Sequence, residues 1–508
     1  MLSLAIGAIT EASGGPFLVL RRGSTLLSGP PQLSLSVSGS AERSVPLVEL
    51  PDLAVPEPSR SSHDRLRAAL RRRGVQVYRG LVRASDLASP AGATGAPRAR
   101  LRLSARAAGE QASAEFQPIP SGRGPLSFAF ASCFYGHSRS SASFGSSLER
   151  ALRSSQSRGH PIDFSLLAGD NLYVDIAPDQ ERYAADSGAY EETAERYASY
   201  FLEEQRLGSA LRAGPTLFTY DDHELWNDYP FPSAWLSRSS APHAQTWANA
   251  SCAGIDTFQH SLNPRTPGLN RSYALEMGGF DFYVADTRTE RSRDRLMSDA
   301  RWGELCAWLE RGERPKVLVL GQPLWQEGES KTLFVTGDHN LAYYARQYGE
   351  LCAALARCRW DVLVLAGDVH FSRLLQLRLG PSGALRVHEL VCSPAEHIPS
   401  TGATIGHYLS GGGLRSQGRT EVELGDGPGL RVDPRHRLER ELYRMGTGCP
   451  NTYALVTLER VGDARADVWA RFVDHRNPSV APPRPEPGAP AYAGPSEFAP
   501  AHFSLRRR

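Results

Sequence analysis

The first 122 residues alternate short apolar runs with clusters of glycine, proline and serine, a pattern typical of β-strands joined by turns. Residues 33–37 read Leu-Ser-Leu-Ser-Val and residues 75–78 read Val-Gln-Val-Tyr, so apolar side chains recur at every second position. This period of two places the apolar side chains of a strand on one face. The pattern predicts a small all-β, sandwich-like N-terminal domain over residues 1–122, which we expect to be a structural or substrate-shaping module.

From residue 123 to residue 475 the pattern changes to short apolar runs separated by longer amphipathic stretches, which is typical of a layered α/β architecture. Strands are predicted at residues 126–131, 164–168, 216–220, 280–285, 317–320, 362–366 and 387–391. Helices are predicted at residues 145–155, 190–212, 299–311 and 340–357. A hairpin formed by residues 453–459 and 466–473 is expected to add edge strands to the main sheet.

Polar side chains follow nearly every predicted strand of this region. Two apolar runs even end in the same Ala-Gly-Asp sequence, at residues 168–170 and 366–368. Because ligands of open α/β sheets bind beyond the carboxyl ends of the strands, we expect these side chains to share one site. They are Ser132 and Cys133, Asp170 and Tyr173, residues 221–224, Asp286 and Arg288, Gln322, Asp368 and His370, and Ser393.

Beyond residue 400, the hydrophobic pattern of the sequence is less regular than in the preceding region. Residues 400–436 are rich in glycine and predict a long loop that could serve as a lid. Residues 476–508 are rich in proline and predict a C-terminal tail, with the arginines at 506–508 at a frayed end. The chain therefore divides into the β-domain of residues 1–122, an α/β domain of residues 123–475 and this tail.

The composition of the chain limits the classes of binding partner that we expect. Arginine and lysine number 57 and the acidic residues 55, which gives a formal net charge of +2 and predicts neither a nucleic-acid nor a membrane-surface partner. No run reaches the roughly 20 apolar residues that a membrane span requires. The seven cysteines are scattered without a Cys-x-x-Cys pair, so neither a disulfide framework nor a zinc ribbon is indicated.

The first residues of this sequence do not have the pattern of an export signal. Residues 1–7 lack both a basic start and a sustained apolar core, and the pair Arg21-Arg22 is followed by Gly-Ser-Thr instead of an apolar stretch. We expect a cytoplasmic protein, unless a leader precedes this sequence in the cell.

The candidate site residues indicate metal binding. Asp170, Asp222 and Asp368 would repel one another strongly if they met without cations, and a metal ion removes that conflict. Carboxylates suit hard cations, whereas the imidazole of His370 and the thiolate of Cys133 suit a transition metal. This mixture of ligands predicts two unlike ions in one site.

Five short motifs occur in a characteristic order. They are Ala-Ser-Cys (131–133), Gly-Asp-x-x-Tyr-x-Asp (169–175), Asp-Asp-His-Glu-x-x-Asn-Asp (221–228), Asp-x-Arg (286–288) and Gly-Asp-Val-His-x-Ser (367–372). The series resembles the PhoD-like alkaline phosphatases, a branch of the calcineurin-like metallophosphoesterases. The resemblance spans residues 125 to about 475, and it implies a layered metallophosphoesterase-type β-sheet core flanked by helices.

The resemblance also implies a role for each candidate. Asp170 would bridge two ions; Cys133, Tyr173 and His370 would complete a ferric iron site, and Asp222 and Asp368 would hold a calcium ion. Magnesium, manganese or zinc could replace one of the two. His223 would stabilise the transition state or protonate the leaving group, and Arg288 would grip a phosphate oxygen. The residues alone leave open that Arg288 is instead a salt-bridge partner of Asp286.

The function implied is hydrolysis of phosphate monoesters by a metal-activated hydroxide, with possible phosphodiesterase activity. One alternative is a dedicated phosphodiesterase that acts on phospholipid headgroups, teichoic-acid-like polymers or nucleotides. A second alternative is a catalytically silent scaffold that retains the fold. A nitrophenyl monoester assayed against its bis-ester separates the first two, and a protein that stays inactive after iron and calcium are supplied would indicate the scaffold.

Overall fold

The computed structural model describes residues 1–37, 42–50, 59–87, 98, 100–136, 143–157, 161–175, 188–231, 239, 243–324, 341, 344–370, 372–379, 385–396, 438–444, 452–474 and 501–507. The expected loop at 400–436 and the proline-rich stretch up to residue 500 lie outside these ranges. Within them, none of the helices combines the length and the apolar character needed to cross a membrane.

The N-terminal region forms two antiparallel four-stranded sheets. Its elements are β1 (Leu2–Ile6), β2 (Gly14–Arg22), β3 (Gln32–Val37), β4 (Arg43–Ser44), β5 (Val48–Glu49), α1 (Ser59–Arg72), β6 (Val75–Arg83), α2 (Ala84–Leu87), β7 (Leu101–Ala107) and β8 (Glu110–Phe116). The strand orders are β1-β2-β6-β5 and β4-β3-β7-β8. Apolar side chains of both sheets, including Phe17, Leu33 and Leu103, share one buried cluster, so the sheets pack face to face.

Helix α1 was not predicted, because the sequence on both sides of it has the pattern of β-strands and the whole region was interpreted as all-β. Its buried residues Leu66, Ala69 and Leu70 recur at the three- and four-residue spacing of one helical face. This face joins a second buried cluster that also contains Leu18 of the N-terminal region and Tyr197 further along the chain. The N-terminal sheets are therefore attached to the rest of the molecule through helical packing.

The following region contains most of the regular structure. Its helices are α3 (Phe144–Ser157), α4 (Ala189–Leu202), α5 (Ser209–Ala213), α6 (Ala244–Gly254), α7 (Asp299–Glu310) and α8 (Ala345–Arg357), with short 3₁₀ turns at Asp222–Glu224 and His260–Leu262 and π turns at Glu204–Gly208 and Ile255–Gln259. Its strands are β9 (Leu126–Ala131), β10 (Phe164–Ala168), β11 (Thr216–Thr219), β12 (Tyr273–Met277), β13 (Phe280–Val284), β14 (Lys316–Val319), β15 (Val362–Ala366), β16 (Arg373–Leu379), β17 (Leu385–Val391), β18 (Leu438–Arg444), β19 (Thr452–Arg460), β20 (Arg465–Asp474) and β21 (Ala501–Arg506).

These strands form two mixed sheets. The first mixed sheet has the order β11-β10-β9-β19-β20-β21, and the second has the order β12-β13-β14-β15-β17-β16-β18. Strands β9, β10 and β11 are parallel to one another, as are β13, β14, β15 and β17. The predicted strands thus divide between two sheets, and their carboxyl ends form two rows.

The two mixed sheets pack face to face, with helices on both outer faces. Phe128 and Phe164 of the first mixed sheet meet Phe282 of the second at ring-centre distances of 6.2 and 6.4 Å. Helices α3 to α6 cover the outer face of the first mixed sheet, and α7 and α8 cover that of the second. The predicted fold class, an α/β core of layered sheets flanked by helices and preceded by β-sheets, is confirmed.

The C-terminal strands differ from their prediction. Strand β19 lies in the interior of the first mixed sheet, between β9 and β20, so the predicted hairpin does not simply extend an edge. Strand β21 falls in the predicted tail and pairs with β20, and Arg507 forms a further bridge to Trp360. Arg506 and Arg507 therefore do not belong to a frayed end.

Candidate metal centre

The site lies where the strand-end loops of both mixed sheets meet. The Cys133 amide, after β9, donates to the Gly169 carbonyl, after β10, at 3.2 Å. The Gly367 amide, after β15, donates to the Gly321 carbonyl, after β14, at 3.0 Å. The Ala395 amide, after β17, donates to the Ser132 carbonyl at 2.7 Å and so joins the two sheets.

The glycines of the repeated Ala-Gly-Asp sequence are required by close approach. A Cβ on Gly169, whose φ is +86°, would come within 2.7 Å of the Asp221 side chain. A Cβ on Gly367 would come within 2.4 Å of Ser132. Each glycine therefore lets the aspartate that follows it lie beside a neighbouring strand end.

Asp170 lies at the centre of three overlapping groups of possible metal ligands. Cys133, Asp170 and His370 each offer one ligand atom within 4.8 Å of the others. The same holds for Asp170 with Asp222 and His223, and for Asp170 with Asp221, Asp222 and Asp368. Asp170, which the sequence nominates as the bridging ligand, is the residue that these groups share.

The buried charges of this cluster favour a cation. The pKa of Asp170 is raised well above its usual range, mainly by burial and further by the neighbouring acidic groups of Cys133 and Asp222. Burial, followed by the Asp368 carboxylate, raises the pKa of the Cys133 thiol to about 12. Both side chains would thus resist ionisation beside one another, and a metal ion bound between them stabilises their charged forms.

Tyr173 lies against this cluster with its phenol group fully buried. Its ring centre is 4.1 Å from that of His223 and 5.4 Å from that of Tyr135. Among the described residues, its hydroxyl oxygen has no hydrogen-bond partner, although such buried groups are nearly always satisfied. A phenol oxygen in this position fits a metal ligand.

His223 is held by a carboxylate to which the sequence analysis gave no role. Its Nδ1 lies 2.9 Å from both carboxylate oxygens of Asp175, and the Asn227 amide donates to the same carboxylate at 2.9 Å. Burial lowers the pKa of His223, but Asp175 and Asp222 outweigh it and raise the pKa to about 10. The ring is therefore oriented through Nδ1, and Nε2 is left to carry a second proton.

Glu224 anchors the loops that carry the aspartates, and sequence reasoning missed this role. Its buried carboxylate accepts hydrogen bonds from the backbone amides of Asp170 at 3.0 Å, Asn171 at 2.8 Å and Asp221 at 3.0 Å. The Gln259 side chain donates a further bond at 3.1 Å. The position of Glu224 directly after Asp-Asp-His could have drawn attention to it. Its hydrogen-bond partners could not be predicted, because most of them are distant in the chain.

Arg288, which was expected to grip a phosphate oxygen, lies in a buried ion pair with Asp221. Its guanidinium is fully buried, with Nε donating to Asp221 Oδ1 at 2.6 Å and Nη1 donating to the Tyr229 carbonyl at 2.8 Å. The guanidinium thus joins the ends of β11 and β13, which come together here, and its role toward a phosphate group stays a prediction. Asp286, the partner that the sequence left open, accepts the Arg288 backbone amide at 3.1 Å and the Thr289 backbone amide at 2.8 Å.

A side chain and a backbone amide donate hydrogen bonds to Asp368 and Asp222, respectively. Gln322 donates from Nε2 to Asp368 Oδ2 at 3.3 Å and accepts a hydrogen bond from the buried Arg291. The Asp228 amide donates to Asp222 Oδ2 at 2.7 Å. Each carboxylate keeps further capacity for a cation, since one carboxylate accepts up to about four hydrogen bonds.

Comparison with known proteins agrees with this fold. No protein-family model matches the chain, and no curated protein matches it in sequence. Purple acid phosphatase PPD1 from yellow lupin (Lupinus luteus) seeds superposes with a TM-score of 0.51 at 10% identity, over 99% of this chain and 73% of that chain. Amylomaltase from Corynebacterium glutamicum has a TM-score of only 0.14, over 31% of this chain at 12% identity. The chain thus has a fold like that of purple acid phosphatase, with a buried Asp/His cluster that could bind metal ions.

Proposed function

We propose that this protein hydrolyses phosphate esters at a dinuclear metal centre, as a phosphomonoesterase of the PhoD-like type with possible phosphodiesterase activity. The observation that carries the proposal is the convergence of ligands from two sheets on Asp170. The purple acid phosphatase-like fold and the order of the five sequence motifs support the same class of reaction.

The two ions would be held by chemically different ligand sets. Cys133, Tyr173 and His370 supply sulfur, phenol and imidazole to one ion, which suits ferric iron. Asp222 and Asp368 supply only carboxylate oxygen to the other, which suits calcium, with magnesium or manganese as alternatives. Asp170 lies within reach of both sets and is the proposed bridging ligand.

The chain's own residues supply orientation and a proton. When bound, the ions would activate water and compensate the charge of the phosphate group. His223, which Asp175 holds through Nδ1, is placed to donate a proton from Nε2 to the departing alkoxide oxygen. Asp175 fixes the ring through Nδ1, which preserves this orientation when the proton has left.

The direct test combines metal analysis with two substrates. We expect freshly purified protein to contain iron and a second, hard cation, and to hydrolyse a nitrophenyl monoester faster than its bis-ester. Asp170→Asn should lose both metals and at least about 100-fold in rate, because even outer partners of metal ligands cost roughly 10- to 100-fold. The assay of the bis-ester distinguishes a monoesterase from a dedicated phosphodiesterase.

A matched acidic control is Asp299→Asn. Asp299 is 68% exposed on α7 and pairs with Arg346 at the surface. This variant should keep the metal content and rate of the wild type. Normal turnover in Asp170→Asn would contradict the bridging assignment, and wild-type protein that remains inactive after iron and calcium are supplied would contradict the enzymatic proposal.

A further inference from the structure

The sulfur of Cys133 lies between two oxygen acceptors and two hydroxyl groups. Its Sγ is 3.4 Å from Asp170 Oδ2 and 3.6 Å from the Asp368 carbonyl. Ser393 Oγ is 3.0 Å from the sulfur, and Ser132 Oγ is 3.5 Å from it. The two hydroxyls are the groups that can donate hydrogen bonds to a thiolate at this position.

Each serine hydroxyl has one proton to donate, and this identifies Ser393 as the principal hydrogen-bond donor to the Cys133 sulfur. The His370 backbone amide lies 3.1 Å from Ser393 Oγ and can only donate, so the serine oxygen accepts it. The single proton of the Ser393 hydroxyl is then directed at the sulfur. The Ser132 hydroxyl has a nearer acceptor, the Cys392 carbonyl at 2.9 Å, and its one proton belongs to that bond.

The surrounding structure fixes Ser393 in this orientation. Ser393 is fully buried, and its backbone amide donates to Ser372 Oγ at 3.2 Å. Ser372 Oγ lies in turn 3.1 Å from Thr452 Oγ1, at the start of β19. These contacts hold the backbone of Ser393, while the His370 amide holds its hydroxyl oxygen, so the hydroxyl proton remains directed at the sulfur.

We propose that Ser393 is a positioning residue that tunes the iron ion through its hydrogen bond to Cys133. The inference rests on the proposed function, since it requires iron at the sulfur-containing set of ligands. A hydrogen bond to a ligating sulfur withdraws electron density from it, and this raises the reduction potential of the metal. Ser393 would therefore set how easily the iron changes between its ferric and ferrous states.

The test is a spectroelectrochemical titration of the iron in three variants. Ser393→Ala should keep its iron but show a lower midpoint potential than the wild type, with the visible absorption band displaced. Ser393→Thr retains the hydroxyl and should return the potential to near the wild-type value. Ser132→Ala should shift the potential less than Ser393→Ala, because its proton goes to a carbonyl.

The outcomes separate this inference from the proposal on which it rests. Iron present in every variant with an unchanged midpoint potential in Ser393→Ala overturns the tuning role and leaves the metal assignment intact. Loss of iron from Ser393→Ala, with retention in Ser393→Thr, would assign the hydroxyl to ligand placement alone and likewise overturn tuning. A wild-type protein without iron contradicts the metal assignment itself.

Discussion

At the scale of single residues, four of the six candidate ligands share an unusual backbone conformation. Cys133, Asp170, Asp368 and His370 have φ values of +58°, +51°, +69° and +54°. Non-glycine residues in sparsely populated regions cost about 1 to 3 kcal/mol each and persist where surrounding contacts hold them. Here the loop hydrogen bonds across the strand ends supply those contacts. Such strain is concentrated at functional sites, which agrees with a preorganised metal centre.

Tyr173 gives the most direct test at this scale. Tyr173→Phe removes only the buried hydroxyl, and we expect loss of the visible absorption that arises when a phenolate binds ferric iron. Stability should change little, because no described residue loses a hydrogen bond with that hydroxyl. Absorption spectra and thermal unfolding of the purified variant measure the two effects.

Tyr135→Phe is the matched control for this substitution. The Tyr135 ring packs edge-on against Tyr173 and is similarly buried, so the variant removes a neighbouring hydroxyl from the same aromatic cluster. We expect it to retain the absorption band. A Tyr173→Phe spectrum identical to that of the wild type would remove Tyr173 from the set of ligands.

At the scale of elements, the site depends on contacts between strand ends. The 3₁₀ turn Asp222–Glu224 follows β11, and its Glu224 carboxylate holds the loop after β10. The ion pair of Asp221 with Arg288 joins the end of β11, in the first mixed sheet, to the end of β13, in the second. These buried polar links fix the spacing of the two sheets at the metal centre.

Arg288→Met tests whether the guanidinium is structural. Leaving the Asp221 carboxylate buried without its cation should cost about 3 to 5 kcal/mol in the free energy of unfolding, since buried pairs respond strongly to loss of one partner. Chemical denaturation measures this loss. The double variant with Asp221→Asn should recover part of it, because no unpaired carboxylate remains.

The opposite outcome would restore the expectation from the sequence. If Arg288 binds substrate phosphate, Arg288→Met will keep the stability of the wild type and raise KM for the nitrophenyl ester. Measuring both quantities on the same preparation separates the two roles of the side chain.

At the scale of the whole molecule, strand β21 joins the two mixed sheets at the end opposite the metal centre. It pairs with β20. The backbone amide of Asp361, just before β15, donates to the Arg506 carbonyl at 2.9 Å, and the Asp361 side chain accepts a hydrogen bond from the Arg506 amide at 3.1 Å. The Leu505 side chain of β21 is fully buried in the core between the mixed sheets. Strand β21 is therefore part of the core between the two mixed sheets.

Leu505→Ala should destabilise the protein without disturbing the site. Removing a fully buried leucine side chain costs about 2 to 5 kcal/mol, so we expect a lower unfolding temperature with unchanged metal content at low temperature. Arg507→Ala is the control, because its ion pair with Glu313 is exposed and worth about 0 to 1 kcal/mol. Equal unfolding temperatures for Leu505→Ala and the wild type would contradict the role of β21 in the core.

The sequence by itself determined the local elements and nominated the ligand-bearing positions. Strands β9, β10 and β15 have the predicted bounds, because short apolar runs between polar stretches mark strands that are buried along nearly their whole length. The positions of Cys133 and Asp170, directly after such strands, made them candidate ligands. Helix α1, however, is a local element that the pattern did not reveal.

Only the tertiary structure decided which distant groups meet. It divided the strands between two sheets, placed β19 beside β9, paired Arg288 with Asp221, and brought Asp175 to His223 and Ser393 to Cys133. The physical reason is that periodicity reports whether a side chain is buried but not which partner it meets. Those partners are set by strand order and sheet packing, which join residues far apart in the chain.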